Sequence, residues 1–197
     1  MVLAMTKGEV TRQGILDAAI ARFGREGFRA TSVADIARDA GVGGTVPYAY
    51  FPNKEALFLA ALDEDAAAVI EEGLTSVRDD TALGAWRQAL IFTLVGAIDH
   101  HPLARRVLAG QEQDVVQRVL EIPALMELRK ACGERLRDEQ GSGTVRADID
   151  PVAMGNGVVS IMLSLLMSVV QLGAAAASVY ADDVVAVFEA ALSPPAR

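Results

Sequence analysis

Ile15, Ala19 and Phe23 stand four residues apart, and Leu16 and Ile20 widen the stripe they form. That spacing predicts an amphipathic helix from Val10 to about Arg25. A second stripe follows at Val33, Ile36, Ala37 and Ala40, with Thr31 ahead of it as an N-cap whose hydroxyl takes a free first-turn N–H. Gly41 comes where a helix ends in a left-handed residue, Val42 plugs the crevice between two helices, and a further helix begins at about Gly43 or Gly44. Helix, short glycine turn and helix make the unit that lays its second member in the major groove of DNA. Pro52 and Asn53 then stop one helix and cap the next, which runs from Lys54 through Leu57, Phe58 and Leu62 toward Val69.

Beyond Leu62 the pattern stays helical: Leu83 to His101, Leu103 to Ala109, and Gln113 to Leu120 continuing past Pro123 to Asp138, before a loop at Gly141-Ser142-Gly143. No alternating strand pattern of useful length and no internal repeat occurs. Pro151 to Ala181 holds no charged residue and is long enough to span a bilayer. Its flanks are Asp148, Asp150, Asp182 and Asp183 where Lys or Arg would mark a span, and Asn156, Ser160, Ser164, Ser168 and Gln171 interrupt it. The reading is a buried body helix, capped by Asp150 with Pro151 at its first position. A last helix, Asp182 to Leu192, presents Val184, Val185, Val187 and Phe188 as an apolar face. These two helices are the expected dimer interface.

Composition narrows the class. A chain of 197 residues that is 52% apolar and 22% charged, with mean hydropathy +0.29, is globular. Its one cysteine, Cys132, makes no internal disulfide, and Met1 to Ala30 has no run framed as a secretory signal, so a cytoplasmic home is expected. The net charge of -8 is unevenly spread: Met1 to Leu62 has seven Lys/Arg against six Asp/Glu, the remainder eleven against twenty. A head near neutral must hold DNA with a few well-placed cations and backbone N–H groups.

Phe23, Gly27 to Ser32 reading G-F-x-A-T-S, Tyr48, Tyr50, Phe51 and Lys54-Glu55-Ala56-Leu57 form an ordered set. In it the chain resembles the tetracycline-repressor (TetR) family of transcriptional regulators, from Thr11 to about Leu62. The resemblance implies an all-α protein with a three-helix helix-turn-helix DNA-binding domain at 1–62 and a helical effector-binding and dimerisation domain at 63–197. It implies a homodimer on a palindromic double-stranded DNA operator, released by a small molecule. Pro47 departs from the family pattern, which has a branched apolar residue before the tyrosine, and leaves the start of the groove helix open.

Gly43, Gly44 and Thr45 stand at the end that would enter the groove, with Ala49 one turn on. Arg and Lys are absent there, so bases should be read weakly. Tyr48 and Tyr50, matched to the family pattern, look like phosphate contacts. Lys54 at a helix start opposes the helix dipole and so suggests a phosphate partner, while Thr31 and Ser32 offer hydroxyls and free N–H groups. Each also has a plainer reading: turn chemistry for the glycines, inward packing for a ring, capping alone for Thr31.

The effector is expected to be mostly apolar, lined by Trp86, Phe92, Met126, Met162 and Ser164. His100 and His101 adjoin Asp99 but point about 100° apart on a helix, so no shared metal is expected. Neither a cofactor nor catalysis is implied. Two other readings stay open: a helical carrier of an apolar ligand with little DNA binding, and a membrane-anchored protein using Pro151 to Ala181.

Overall fold

The computed structural model describes residues 6–78, 86–112 and 121–194. Every regular element among them is helical: α1 Lys7–Ala30, α2 Val33–Asp39, a 3₁₀ turn Val46–Ala49, α3 Lys54–Arg78, α4 Trp86–Ala97 with a 3₁₀ turn Ile98–His100, α5 Pro102–Leu108, α6 Pro123–Gly141, α7 Pro151–Leu172 and α8 Ala174–Leu192. The expected helix at Gln113 to Leu120 lies outside the described residues.

Helix α1 starts earlier than its apolar stripe because Thr6 and Glu9 form a capping box. The Thr6 hydroxyl accepts the Glu9 N–H at 3.3 Å, and the Glu9 carboxylate accepts the Thr6 N–H at 2.6 Å. The predicted stripe is buried: Ile15, Leu16, Ala19 and Phe23 pack with Val33 and Ile36 of α2 and with Leu57, Phe58 and Leu62 of α3. Phe23 and Phe58 meet edge to face at 5.0 Å. Asn53 caps α3 as expected, its Oδ1 accepting the Ala56 N–H at 2.8 Å.

Helix α3 then continues without a break into a second core, where Val69, Ile70 and Leu74 join α4, α6 and α7. Trp86 is fully covered and donates its indole N–H to Glu139 at 2.9 Å, while Arg87 reaches the other carboxylate oxygen at 3.0 Å. Helices α6 and α7 cross at two glycines, because a Cβ on Gly155 would sit 2.6 Å from the Gly133 nitrogen. Cys132 lies in this crossing region with no exposure, and burial pushes its thiol up to about 12.

Helix α7 corrects one expectation. Asp150 does cap it, accepting the Val152 N–H at 2.9 Å, but the helix is buried on one face only, through Gly155, Val158, Val159, Met162 and Leu166. Ser160, Ser164 and Ser168 each donate to the carbonyl four residues back, at 2.9–3.0 Å, and Ser160 and Ser164 face outward. Gly173, at φ +89, ends the helix, so the uncharged segment is split and α8 begins at Ala174 rather than Asp182. On α8, Phe188 and Leu192 are buried, whereas Val187 is 60% exposed.

Candidate nucleic-acid interface and the cavity behind it

Ser32, and not Thr31, caps α2, its hydroxyl accepting the Asp35 N–H at 3.1 Å. Thr31 is 2% exposed and donates its hydroxyl to the Gly27 carbonyl at 2.8 Å. It therefore seals the end of α1, where Gly27 leaves helical geometry at φ +83, and its hydroxyl is turned away from any phosphate.

The expected groove helix from Gly43 or Gly44 is also corrected. After Gly41, at φ +68, and half-buried Val42, the chain makes only the 3₁₀ turn Val46–Ala49. Pro47 lacks an N–H and Pro52 disfavours helical geometry at Phe51, so little room is left between them for an α-helix. The Pro47 carbonyl accepts from Tyr50 at 3.1 Å and from Phe51 at 2.9 Å, and both Pro47 and Phe51 are buried.

Gly43, Gly44 and Thr45 ahead of this turn and Tyr48 and Ala49 on it are exposed, as is Ser32 at the start of α2. Tyr48 is 52% exposed, whereas Tyr50 is half-buried against the head core. Lys54 lies 4.4 Å from the Phe28 ring centroid, with its Nζ 3.5 Å from the Arg29 carbonyl, so partners within the protein offset its unfavourable place at a helix start. The acids of α2 are neutralised too. The Ser32 hydroxyl and Arg38 hold Asp35 below the ordinary carboxylate range, and Arg22, at 2.6 Å, does the same for Asp39.

Helix α5 lies behind the head. Buried Asp65 of α3 caps it: one oxygen accepts the Leu103 and Ala104 N–H groups at 2.9 and 2.8 Å, and the other meets His101 Nδ1 at 2.9 Å. The far ring nitrogen of His101 faces Glu72 at 3.5 Å, while His100 is exposed. Leu103 and Val107 enter the head core. Just beyond, Glu112 accepts the Phe28 N–H at 3.0 Å and Arg106 Nε at 2.8 Å, and the pair sits so close that a Cβ on Gly27 would lie 2.5 Å from Arg106 Nη2.

Between α3, α4, α5, α6 and α7 lies a cavity of about 60 Å³, walled among others by Leu62, Val69, Leu94, Val107, Leu128 and Leu166. None of the five expected lining residues borders it. Trp86 and Met162 are buried elsewhere in the body core, Phe92 and Met126 are 67% and 54% exposed, and Ser164 faces outward. Helical spacing alone does not say which face of α4, α6 or α7 turns inward. The continuing stripe Leu62, Ala66, Val69 and Ile70 on α3 was the available signal, and these residues do form one wall.

Residues 15–61 match the family described as bacterial regulatory proteins, tetR family. No curated protein matches the chain. Solved structures share the fold over nearly the full length. A TetR-family transcriptional regulator from Pectobacterium atrosepticum superposes with TM-score 0.77 at 18% identity, covering 98% of this chain and 100% of its own. One from Mesorhizobium loti gives 0.75 at 21%, covering 96% and 100%. A gamma-butyrolactone receptor gives 0.56 at 22%, covering 95% and 90%. Residues 15–61, which hold the largely exposed stretch Gly43 to Ala49 and the caps that set it, carry the likeness to the tetR family of bacterial regulatory proteins, and the solved structures share the fold of the chain.

Proposed function

We propose that the chain is a ligand-responsive transcriptional repressor, which binds a palindromic operator as a homodimer and releases it when an apolar small molecule enters the body. One observation carries this reading: Leu62 and Val107 belong at once to the head core and to the cavity wall. A ligand that pushes α3 or α5 outward must therefore move side chains on which the head is packed, since close-packed cores transmit displacement. The ligand shifts the equilibrium only by its differential affinity for the two arrangements. The structural likeness to a gamma-butyrolactone receptor supports a small-molecule trigger.

The DNA-facing surface in this reading comprises Ser32, Gly43, Gly44, Thr45, Tyr48 and Ala49, with Tyr50 and Lys54 at its border. The exposed back of α7 carries the small side chains of Ser160 and Ser164, which let the same helix of a second copy lie close, and Val187 of α8 is exposed as well. Two heads so joined would meet half-sites about one helical turn, roughly 34–36 Å, apart.

A competing reading, a carrier with a silent head, is favoured by the lack of any Lys or Arg from Gly43 to Ala49. Selection of duplexes from a random pool, followed by anisotropy titrations at several salt concentrations, decides between them. A recovered palindrome bound with a salt-dependent constant is the expected result; failure to enrich any sequence would favour the carrier.

A further inference from the structure

We infer that the effector enters the cavity as a straight aliphatic chain, with no ring and no polar atom inside. This deepens the repressor reading and rests on it for its regulatory meaning. All fifteen described residues bordering the cavity are Leu, Ile, Val or Ala. Three polar groups on the surrounding helices are turned to partners of their own: Asp65 caps α5, the Leu108 carbonyl accepts from Gln171 at 2.8 Å, and Glu139 holds Trp86 and Arg87. A hydroxyl, carbonyl or amine carried inside would find no side-chain partner among the described residues that border the cavity. Each such group lowers affinity roughly five- to a hundredfold.

Shape points the same way. The wall runs along α3 from Leu62 to Ile70 and along α7 from Val159 to Leu166, about 12 and 10 Å at the helical rise of 1.5 Å per residue. Over that length the void is only about 60 Å³, small against the roughly 300–1,000 Å³ of drug-sized sites. A long, thin space threads a chain by rotating Leu and Ile side chains, whereas a fused ring needs helices to part. None of the described wall residues is aromatic, so none offers a planar ring a stacking surface in return. The polar end of the amphiphile stays in water.

The test is calorimetry on the full chain with primary alcohols from hexanol to dodecanol, each below its solubility limit. Naphthylmethanol serves as the ring probe and hexanediol as the probe that must bury a hydroxyl. Affinity should climb roughly three- to fourfold per methylene until the slot is full. Both other probes should bind at least tenfold more weakly than the alcohol of matching apolar area or length. Leu163→Phe, at a half-buried wall position, should move the plateau to shorter chains; if that variant does not fold, the wild-type series decides alone. Equal affinity for the ring probe, an absence of chain-length dependence, or no binding of any alcohol would overturn the inference. DNA release is measured in parallel. Tight chain binding without release would sink the repressor reading and leave this one standing, and release by ring compounds alone would do the reverse.

Discussion

Glu112 holds Phe28 by its backbone, its carboxylate accepting the Phe28 N–H at 3.0 Å while Arg106 steadies the same oxygen at 2.8 Å. Arg106 belongs to α5, which borders the cavity, and Phe28 packs in the head and carries Lys54 over its ring. The pair is a second route from body to head besides the shared residues Leu62 and Val107.

Glu112→Ala leaves the Phe28 N–H and the Arg106 guanidinium without this partner. Urea unfolding should show a loss of about 1–3 kcal/mol, the range for a partly covered hydrogen bond to a charge. DNA affinity without effector should change little, but the fold-release at saturating effector should shrink. Full release by an unaltered concentration of effector would remove Glu112 from the coupling.

Thr31 and Tyr48 separate a structural hydroxyl from an interface one. Thr31→Val keeps the shape but strands the Gly27 carbonyl in a buried site, so stability should fall by about 1–3 kcal/mol while the folded protein binds DNA as before. Tyr48→Phe removes a hydroxyl from a ring that is 52% exposed; it should leave the unfolding midpoint alone and weaken all duplexes alike by roughly fivefold. Exchange of the two phenotypes would mean that the interface has been drawn on the wrong side of the turn.

The difference between these residues shows what was legible in the sequence. The stripes of α1, α2 and α3 could be read because one face of each must be apolar, and the same periodicity put Phe23, Ile36 and Phe58 in one core. Thr31 could not be assigned from its neighbours. Thr31 and Ser32 are both good caps, and the choice between them depends on Gly27 breaking α1 at φ +83. The capping box at Thr6 and Glu9 is written in the sequence but lies outside the apolar stripe from which the bounds of α1 are read. The cavity was the least legible part, because Phe92 and Ser164 sit on helices whose outward faces carry no exposed charge and hold apolar residues of their own, Phe92 on α4 and Val152, Ile161 and Leu172 on α7. Such helices hide their orientation, and a second copy covering α7 and α8 is one physical reason for that composition.

That cover can be tested without harming the subunit. Val187 is 60% exposed and Ser164 faces outward, so Val187→Glu and Ser164→Arg add charge where the isolated chain tolerates it. In a dimer each would bury an unpaired charge, a change typically worth about 3–5 kcal/mol. Light scattering at micromolar concentration should report a dimer for the natural chain and a monomer of unaltered helicity for either variant. A natural chain that scatters as a monomer, or variants that remain dimeric, would place the interface elsewhere.

The head should also lose stability in acid through a nameable group. Arg22 binds Asp39 at 2.6 Å and holds its carboxyl below the ordinary value, so the folded state keeps that proton off more strongly than the unfolded chain does. For a depressed carboxyl the stabilisation is complete above the unfolded value of about 3.9 and fades as pH falls through the lower folded value. Asp39→Asn removes the titrating group and most of the attraction, so the variant should be less stable at neutral pH. Its urea midpoint should also fall less steeply as pH drops below about 3.9, so that the two curves draw together in acid. Asp35, held down by Ser32 and Arg38, keeps part of the slope in the variant. Parallel curves for the natural chain and Asp39→Asn would show that the Arg22–Asp39 pair makes no pH-dependent contribution to folding.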